Sequence, residues 1–379
     1  MEIPTLHNLS EDKLRGKRVL VRLDLNVPLE GAAIIDDFRI VQSLPTLIYL
    51  RDCGARMILV SHLGPDGSRS LGPIAAYLEK HLTIQFSSDT ASHRDMPGRT
   101  QSVRDGEALM LENLRRDPGE VGNDRHYART LASLADLFVN EAFSVSHRTH
   151  ASVVLVPEFL PSYAGFLFES EVKNLARLLT PEHPFVCIIG GAKTSTKVPL
   201  LRKFLSLADS VFALGAIAND FLKYSGYEIG ASLSDPSVDV GNIPHRNRVT
   251  FPLDVTVSNG EKVSVKLPSE IVVNDTIVDT GPQTLALIES ELQKARLILW
   301  NGPLGNIELG FCGGTSRLAH AIASSEGYSV VGGGDTVAVL DKDDVSRFNF
   351  VSTGGGAMLD FLAEGTLPGI EAMRRAKQA

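Results

Sequence analysis

The chain has 379 residues, 43% hydrophobic and 22% charged, which fits a globular protein too long for one ordinary core and points to two domains. Its 37 basic and 45 acidic side chains leave a formal charge of −8. A net acidic surface argues against general binding to nucleic acid or anionic membranes, but a small anion needs only a local basic cluster.

The three cysteines, Cys53, Cys187 and Cys312, are far apart and odd in number. They suggest no metal knuckle or redox pair and read as core-filling thiols of a reducing compartment. The stretch from Met1 to Lys17 is polar, with no apolar core before a small-residue cleavage site, so no signal peptide is read. No apolar run is long enough to span a bilayer. The expected location is cytoplasmic.

Short β-branched runs alternate with helical spacings. Arg18 to Leu23, Arg56 to Val60, Ala108 to Leu111 and Leu137 to Val139 read as buried strands. Between them Leu44, Leu47 and Ile48, and later Leu131, Leu134 and Ala135, recur at helical intervals. The alternation predicts βαβ units and parallel sheets, an α/β class. A helix is expected from about Ser170 to Leu179, ended by Pro181 and Pro184 and bridging two lobes. Phe185 to Ile189, Ser210 to Leu214, Leu297 to Trp300, Ser329 to Val331 and Phe348 to Val351 are the strands expected beyond it. The stretch from Ser232 to Val278 has many short β-like pieces and reads as a small antiparallel elaboration.

Nearly every one of these strands runs into glycine and ligand-type polar residues, where open α/β sheets bind ligands. The first half supplies Asp24, Asn26, Arg39, His62, Arg115 and Arg148. Arginine forks match carboxylate and phosphate, so this half reads as a site for a small polyanion. The second half supplies Gly190 and Gly191 with Lys193 and Lys197, then Asn301-Gly302-Pro303, Gly332 to Asp335, and Gly354 to Gly356. Glycine backbone approaching phosphates at helix starts reads as a nucleotide site. Taken singly, each has a plainer meaning: a structural histidine, a turn, a solvated arginine. Recurrence at one topological place shifts the balance. No Walker-type P-loop occurs, because Gly190-Gly191-Ala192-Lys193-Thr194 is too short for it, and the protein-kinase motifs are missing too.

At these residues the sequence resembles the phosphoglycerate kinase family along essentially its whole length. The matching segments are Arg22 to Pro28, Asp37 to Ile40, Ser61 to Gly64, Leu111 to Arg115, His147 to His150, Gly190 to Lys193 with Lys197, Trp300 to Gly305, Gly332 to Thr336, and Ser352 to Ala357. The resemblance implies two Rossmann-like lobes with parallel sheets, joined by a hinge helix, with the substrate cleft between them. It implies a 3-phosphoglycerate-binding domain over residues 1–168, to which the tail 362–379 returns, and a nucleotide-binding domain over 169–361. The implied activity is that of a glycolytic phosphotransferase with a carboxyl group as acceptor. It converts 1,3-bisphosphoglycerate and ADP to 3-phosphoglycerate and ATP, reversibly, with Mg²⁺, in a cytoplasmic monomer whose lobes close by hinge-bending.

By the same resemblance the glycerate is bound by Asp24, Leu25, Asn26, Arg39, His62, Leu63, Gly64, Arg115 and Arg148. The nucleotide is bound by Lys193, Lys197, Asn301, Pro303, Glu308, Gly333, Gly334, Asp335 and Thr336, with Asp335 on the metal. Arg39 and Lys197 are the expected catalytic pair, since phosphoryl transfer needs alignment and charge neutralisation. Several positions leave the family pattern. Pro65 stands where Arg is usual, with Arg69 four residues on as a candidate substitute. Glu141 replaces Asp, Thr196 replaces Asp, Leu214-Gly215-Ala216 replaces three glycines, and Ser144 to Ser146 replace a Gly-Thr-Ala type segment. The alternatives are a non-catalytic relative acting as regulator or scaffold, and a kinase for a different small acyl phosphate.

Overall fold

The computed structural model describes residues 3–376, with the side chains of Arg246 and Asp335 outside the description. The chain divides into two compact units, one running to Lys173 and resuming at Thr366, the other Asn174–Gly365. The division falls inside the helix Phe166–Arg177.

The first unit contains β1 (Arg18–Arg22), the short hairpin β2 (Leu29–Glu30) and β3 (Ala33–Ile34), then β4 (Arg56–Val60), β5 (Ile84–Phe86), β6 (Ala108–Met110), β7 (Leu137–Asn140) and β8 (Ser162–Ala164). Its main sheet has the order β5-β6-β4-β1-β7-β8, parallel throughout. β1 is almost wholly buried because both faces are covered, as parallel sheets require. Val19 and Val21 join one core with Leu47 and Leu59, while Leu20 joins the other with Ile58, Leu131 and Phe138. The edge strands β5 and β8 were not among the strands expected from sequence. Each is three residues long and carries no apolar run to announce it.

The tail forms the helix Pro368–Arg375 within this unit. Ile370 and Met373 are buried, and the Gly369 N–H donates to the Ser146 carbonyl at 2.9 Å. The helix expected to begin near Ser170 starts at Phe166 instead. Its early start has a distant cause: the Glu141 carboxylate, carried at the end of β7, accepts from the N–H groups of Leu167 at 3.1 Å and Phe168 at 3.4 Å. It thereby satisfies amides that a helix leaves open at its first turn.

The second unit contains β9 (Phe185–Ile189), β10 (Ser210–Ala213), β11 (Val249–Thr250), β12 (Val255–Ser258), β13 (Val263–Lys266), β14 (Thr276–Thr280), β15 (Leu297–Asn301), β16 (Tyr328–Gly332) and β17 (Phe350–Ser352). The order β11-β10-β9-β15-β16-β17 is again parallel. The antiparallel elaboration is a separate sheet, β13-β12-β14, confined to residues 255–280. Val249 and Thr250, expected in the elaboration, pair instead with β10 at the edge of the parallel sheet. Phe348, expected in the last strand, closes the helix Lys342–Arg347, so β17 begins two residues later.

Each main sheet has one switch point. In the first, the chain moves outward from β1 to β4 on one side and to β7 on the other. In the second, β9 lies between β10 and β15 in the same way. Such points open a crevice beyond the carboxyl ends of the strands.

Candidate active site

The crevice beyond β1 and β7 is filled by charged side chains. Asp24 follows β1 and is buried. Its Oδ2 accepts from Arg39 Nη1 and from Ser144 Oγ, and its Oδ1 accepts from the Asn26 N–H at 3.2 Å. Burial raises the Asp24 pKa, but Arg39, then His62 and Ser144, overcome it and hold the carboxyl below its ordinary value. Arg39 is brought there by the second position of the helix Phe38–Asp52. Asn26 and Gly64 are tied together, the Gly64 N–H donating to Asn26 Oδ1 at 2.9 Å. The backbone of Leu25 and Leu63 is fixed by Ser61 Oγ (3.0 Å) and Asn113 Nδ2 (2.7 Å).

His62 is buried 4.0 Å from Asp24 and 3.5 Å from Arg22. Burial, then the charge of Arg22, push its pKa down to about 3, so the ring is neutral near pH 7. Arg115 donates to the Gly64 carbonyl at 2.6 Å. Burial, then Arg148 and Arg22, hold its pKa below the ordinary arginine value. Arg148 is exposed. Two buried atoms in this cluster, Arg115 Nε and His150 Nδ1, have no hydrogen-bond partner among the described residues. Cations that depress one another, with the Arg115 Nε–H left unpaired, describe a place suited to an anion.

Four members of the cluster were not singled out from sequence as site residues. Arg22 is fully buried, and its Nε donates to Ser152 Oγ at 3.0 Å. Glu120, also fully buried, lies 3.9 Å from Arg22 and 3.9 Å from His150, and accepts from Ser152 Oγ at 2.6 Å. His150 has its pKa pushed down to about 4 by burial, then by Arg115 and Arg22. Ser144 supplies the hydroxyl on Asp24. Arg22 and His150 stood inside the matching segments, so their signal was available. Glu120 had none, sitting in a polar turn-like stretch that gives no hint of burial.

The second unit builds its crevice from backbone. At the switch point the Gly190 N–H donates to the Asn301 carbonyl at 2.9 Å and the Gly191 N–H to the Pro303 carbonyl at 2.8 Å. A Cβ on Gly190 would collide with the Pro303 carbonyl, and one on Gly302 with the Gly190 carbonyl. Gly302 also has φ of +101°, so both space and conformation require glycine there. Asn301 ends β15 and is buried; its Oδ1 accepts from Lys197 Nζ. Lys197 lies in the helix Thr194–Phe204, whose preceding residue is the exposed Lys193. The first turn of that helix is held by Thr194 donating to the buried carboxylate of Asp220, and by Thr196 Oγ1 donating to the Lys193 carbonyl at 2.8 Å. Glu308 is exposed on the short turn Ile307–Leu309. Gly333 and Gly334 lead into the turn Gly334–Val337, where Thr336 Oγ1 is buried with no hydrogen-bond partner among the described residues. The side chain of Asp335, expected on the metal, lies outside the described residues. Among the described residues no three His, Cys, Asp or Glu side chains converge on a metal position.

The family model described as phosphoglycerate kinase matches residues 9–365. The chain belongs to the phosphoglycerate kinase family. A curated phosphoglycerate kinase of Moorella thermoacetica is 40% identical over 96% of this chain and 98% of its own. That of Thermus thermophilus is 41% identical over 95% and 97%. The solved phosphoglycerate kinase of Coxiella burnetii superposes with a TM-score of 0.85 at 36% identity, covering 99% of this chain and 100% of its own.

Against the family pattern, two of the departures have a physical account. Glu141, longer than the usual Asp, reaches the first turn of the helix Phe166–Arg177 and receives the Thr46 hydroxyl at 2.5 Å. Ser144 adds a hydroxyl to Asp24. Pro65 is exposed, and the Arg69 side chain runs beside the preceding residue, with its Cδ 3.6 Å from where a Gly64 Cβ would stand.

Proposed function

We propose that this chain catalyses reversible phosphoryl transfer from 1,3-bisphosphoglycerate to ADP, giving 3-phosphoglycerate and ATP, in glycolysis. The observation that carries the reading is membership of the phosphoglycerate kinase family over residues 9–365. The relatives named above carry the enzyme's name, which leaves the scaffold alternative without support.

In this reading the glycerate is bound by Asp24, Leu25, Asn26, Arg39, His62, Leu63, Gly64, Arg115 and Arg148, its anionic groups facing the cations and N–H donors of the set. The unpaired Nε–H of Arg115 supports an anionic ligand. His62, neutral, offers an N–H without a competing charge. The nucleotide is taken by Lys193, Lys197, Asn301, Pro303, Glu308, Gly333, Gly334, Asp335 and Thr336. Transfer from an acyl phosphate is mainly a matter of alignment and of neutralising three phosphoryl oxygens. Arg39 and Lys197 are assigned that neutralisation. The carboxylate of Asp24 keeps the Arg39 fork oriented before substrate arrives.

Mg²⁺ fits what is present. It binds through one or two carboxylates and the substrate's own phosphates rather than a protein cage. The Thr336 hydroxyl, without a hydrogen-bond partner among the described residues, is an oxygen next to Asp335 in the chain. When bound, the ion offsets phosphate charge during transfer. The same reading makes the protein a cytoplasmic monomer, for which the unpaired thiols Cys53, Cys187 and Cys312 speak as to compartment. No helix among the described residues is long and apolar enough to cross a membrane.

The test is ATP formation from 1,3-bisphosphoglycerate, ADP and Mg²⁺ by the purified chain, with Lys197→Ala as control. Turnover that the control loses is the expected result. A folded wild-type protein that binds ADP but forms no ATP would return the scaffold or altered-substrate reading.

A further inference from the structure

The antiparallel sheet β13-β12-β14 looked from sequence like an elaboration, yet β14 reaches the nucleotide set. The β12–β14 ladder pairs Thr256 with Asp279 and Val257 with Ile277, so Val278 is an extra residue, a β-bulge. A bulge takes one residue out of the ladder and re-aims its neighbours. Here the Val278 carbonyl accepts from the Asn306 N–H at 2.8 Å. Beside it, Asp279 Oδ2 accepts from the Gly314 N–H at 2.8 Å and Oδ1 from the Thr280 N–H at 2.8 Å. Cβ atoms on Gly305 and Gly314 would stand 2.8 Å and 2.5 Å from Asp279 Oδ1, so the backbone closes around the carboxylate.

The two grips, at Asn306 and Gly314, bracket Glu308. At the start of the Asn301–Gly314 segment the Pro303 carbonyl accepts from the Gly191 N–H at 2.8 Å, and the Leu304 N–H donates to Thr315 Oγ1 at 3.0 Å. Between Asn306 and Gly314 the other backbone bonds are local, including those from the Gly310 N–H to the Ile307 carbonyl at 2.9 Å and from the Phe311 N–H to the Asn306 carbonyl at 3.0 Å. Asp279 is only 8% exposed, and the cost of burying its carboxylate is offset in part by the N–H groups of Gly314 and Thr280. We propose that Asp279, set by the Val278 bulge, is a positioning residue for nucleotide binding: it fixes the Asn301–Gly314 segment so that Pro303 and Glu308 meet the nucleotide. The antiparallel sheet is the platform for that segment. The inference rests on the reading of Pro303 and Glu308 as nucleotide contacts.

Asp279→Ala removes the acceptor of the Gly314 N–H. Gly314→Ala pushes on the same carboxylate from the opposite side and keeps the test open if Asp279→Ala does not fold. Ile271→Ala, in the small core of the same sheet but outside β12 and β14, weakens the sheet without touching the bulge or the grip. Steady-state kinetics of the full chain should show the KM for MgADP raised about tenfold in Asp279→Ala and Gly314→Ala, with the KM for 1,3-bisphosphoglycerate within about twofold of wild type. Ile271→Ala should leave the nucleotide KM unchanged even where its melting point falls. An unchanged nucleotide KM in either folded grip variant overturns the proposal, as does an equal rise in Ile271→Ala. Glu308→Ala separates this from the underlying reading. If it leaves the nucleotide KM alone while Asp279→Ala raises it, the positioning role stands and Glu308 loses its assignment; if neither moves it, both fall.

Discussion

At the carboxyl ends of its strands the first unit presents side chains, and the second presents backbone. In the first, Arg22, Asp24 and Glu120 are charged and His62 is a neutral ring, and all four are nearly or fully buried against one another. In the second, Gly190, Gly191, Gly302 and Pro303 bring two chain segments into contact through carbonyls and N–H groups. The difference follows from the ligands proposed. A small glycerate has a carboxylate and a phosphate to be matched by forks in fixed directions. A nucleotide's phosphates can be cradled by peptide N–H groups, provided no Cβ stands in the way. One unit is therefore vulnerable to the loss of a charge, the other to the addition of a methyl group.

The largest expected effect is on turnover. Arg39→Ala should lower kcat about 10²–10³-fold, the range for removing one preorganised donor from a transition state, while the melting point stays near wild type. A nearly normal kcat would remove Arg39 from the mechanism. Next is Glu120→Gln, which takes from buried Arg22 the larger of its two counter-charges, Glu120 and Asp24. It should cost about 3–5 kcal/mol in denaturant unfolding, and a change under about 1 kcal/mol would show that the network is not held by charge.

Gly302→Ala is the matching test in the second unit. The collision with the Gly190 carbonyl should cost about 1–3 kcal/mol, whereas Arg148→Ala, at an exposed position, should change stability by less than about 0.5 kcal/mol. Equal losses in the two variants would erase the contrast between them.

Acid stability sharpens the contrast further. His62 at about 3 and His150 at about 4 stay neutral in the fold, against about 6.5 in the unfolded chain. Between those values the unfolded state binds more protons, so stability falls as the pH drops from about 6.5. Buried Glu141 works in the opposite direction. Burial raises it to about 7 despite the hydrogen bonds from Thr46, Leu167 and Phe168, so its contribution is present at low pH and lost as the pH rises through 7. Unfolding midpoints should therefore lose part of their acid slope in His150→Gln and part of their decline between about pH 4.5 and pH 7 in Glu141→Gln. Slopes identical to wild type would show that neither group titrates as described. The smallest effect is expected from Arg69→Ala, a rise of about threefold in the 3-phosphoglycerate KM if its side chain serves for the arginine missing at Pro65. No change would dismiss that substitution.

Much of this was legible in the sequence because the central strands and their ligand-type residues are contiguous. RVLVRL running into Asp24, FVCII into Gly190, and LILW into Asn301 announce strand and loop together. What stayed hidden depends on partners far away in the chain. The strands Ile84–Phe86 and Ser162–Ala164 exist through pairing with β6 and β7, not through their own composition. The start of the helix at Phe166 is set by Glu141, and the burial of Glu120 by Arg22, almost a hundred residues before it. The bulge at Val278 is a property of two strands and cannot be seen in either.

The division of labour between the two sets can be measured directly by calorimetric titration of 3-phosphoglycerate and of MgADP into wild type, Arg115→Ala and Lys193→Ala. Arg115→Ala should weaken 3-phosphoglycerate about tenfold and leave MgADP within about twofold, and Lys193→Ala should do the reverse. Variants that weaken both ligands alike, or that exchange these effects, would contradict the account.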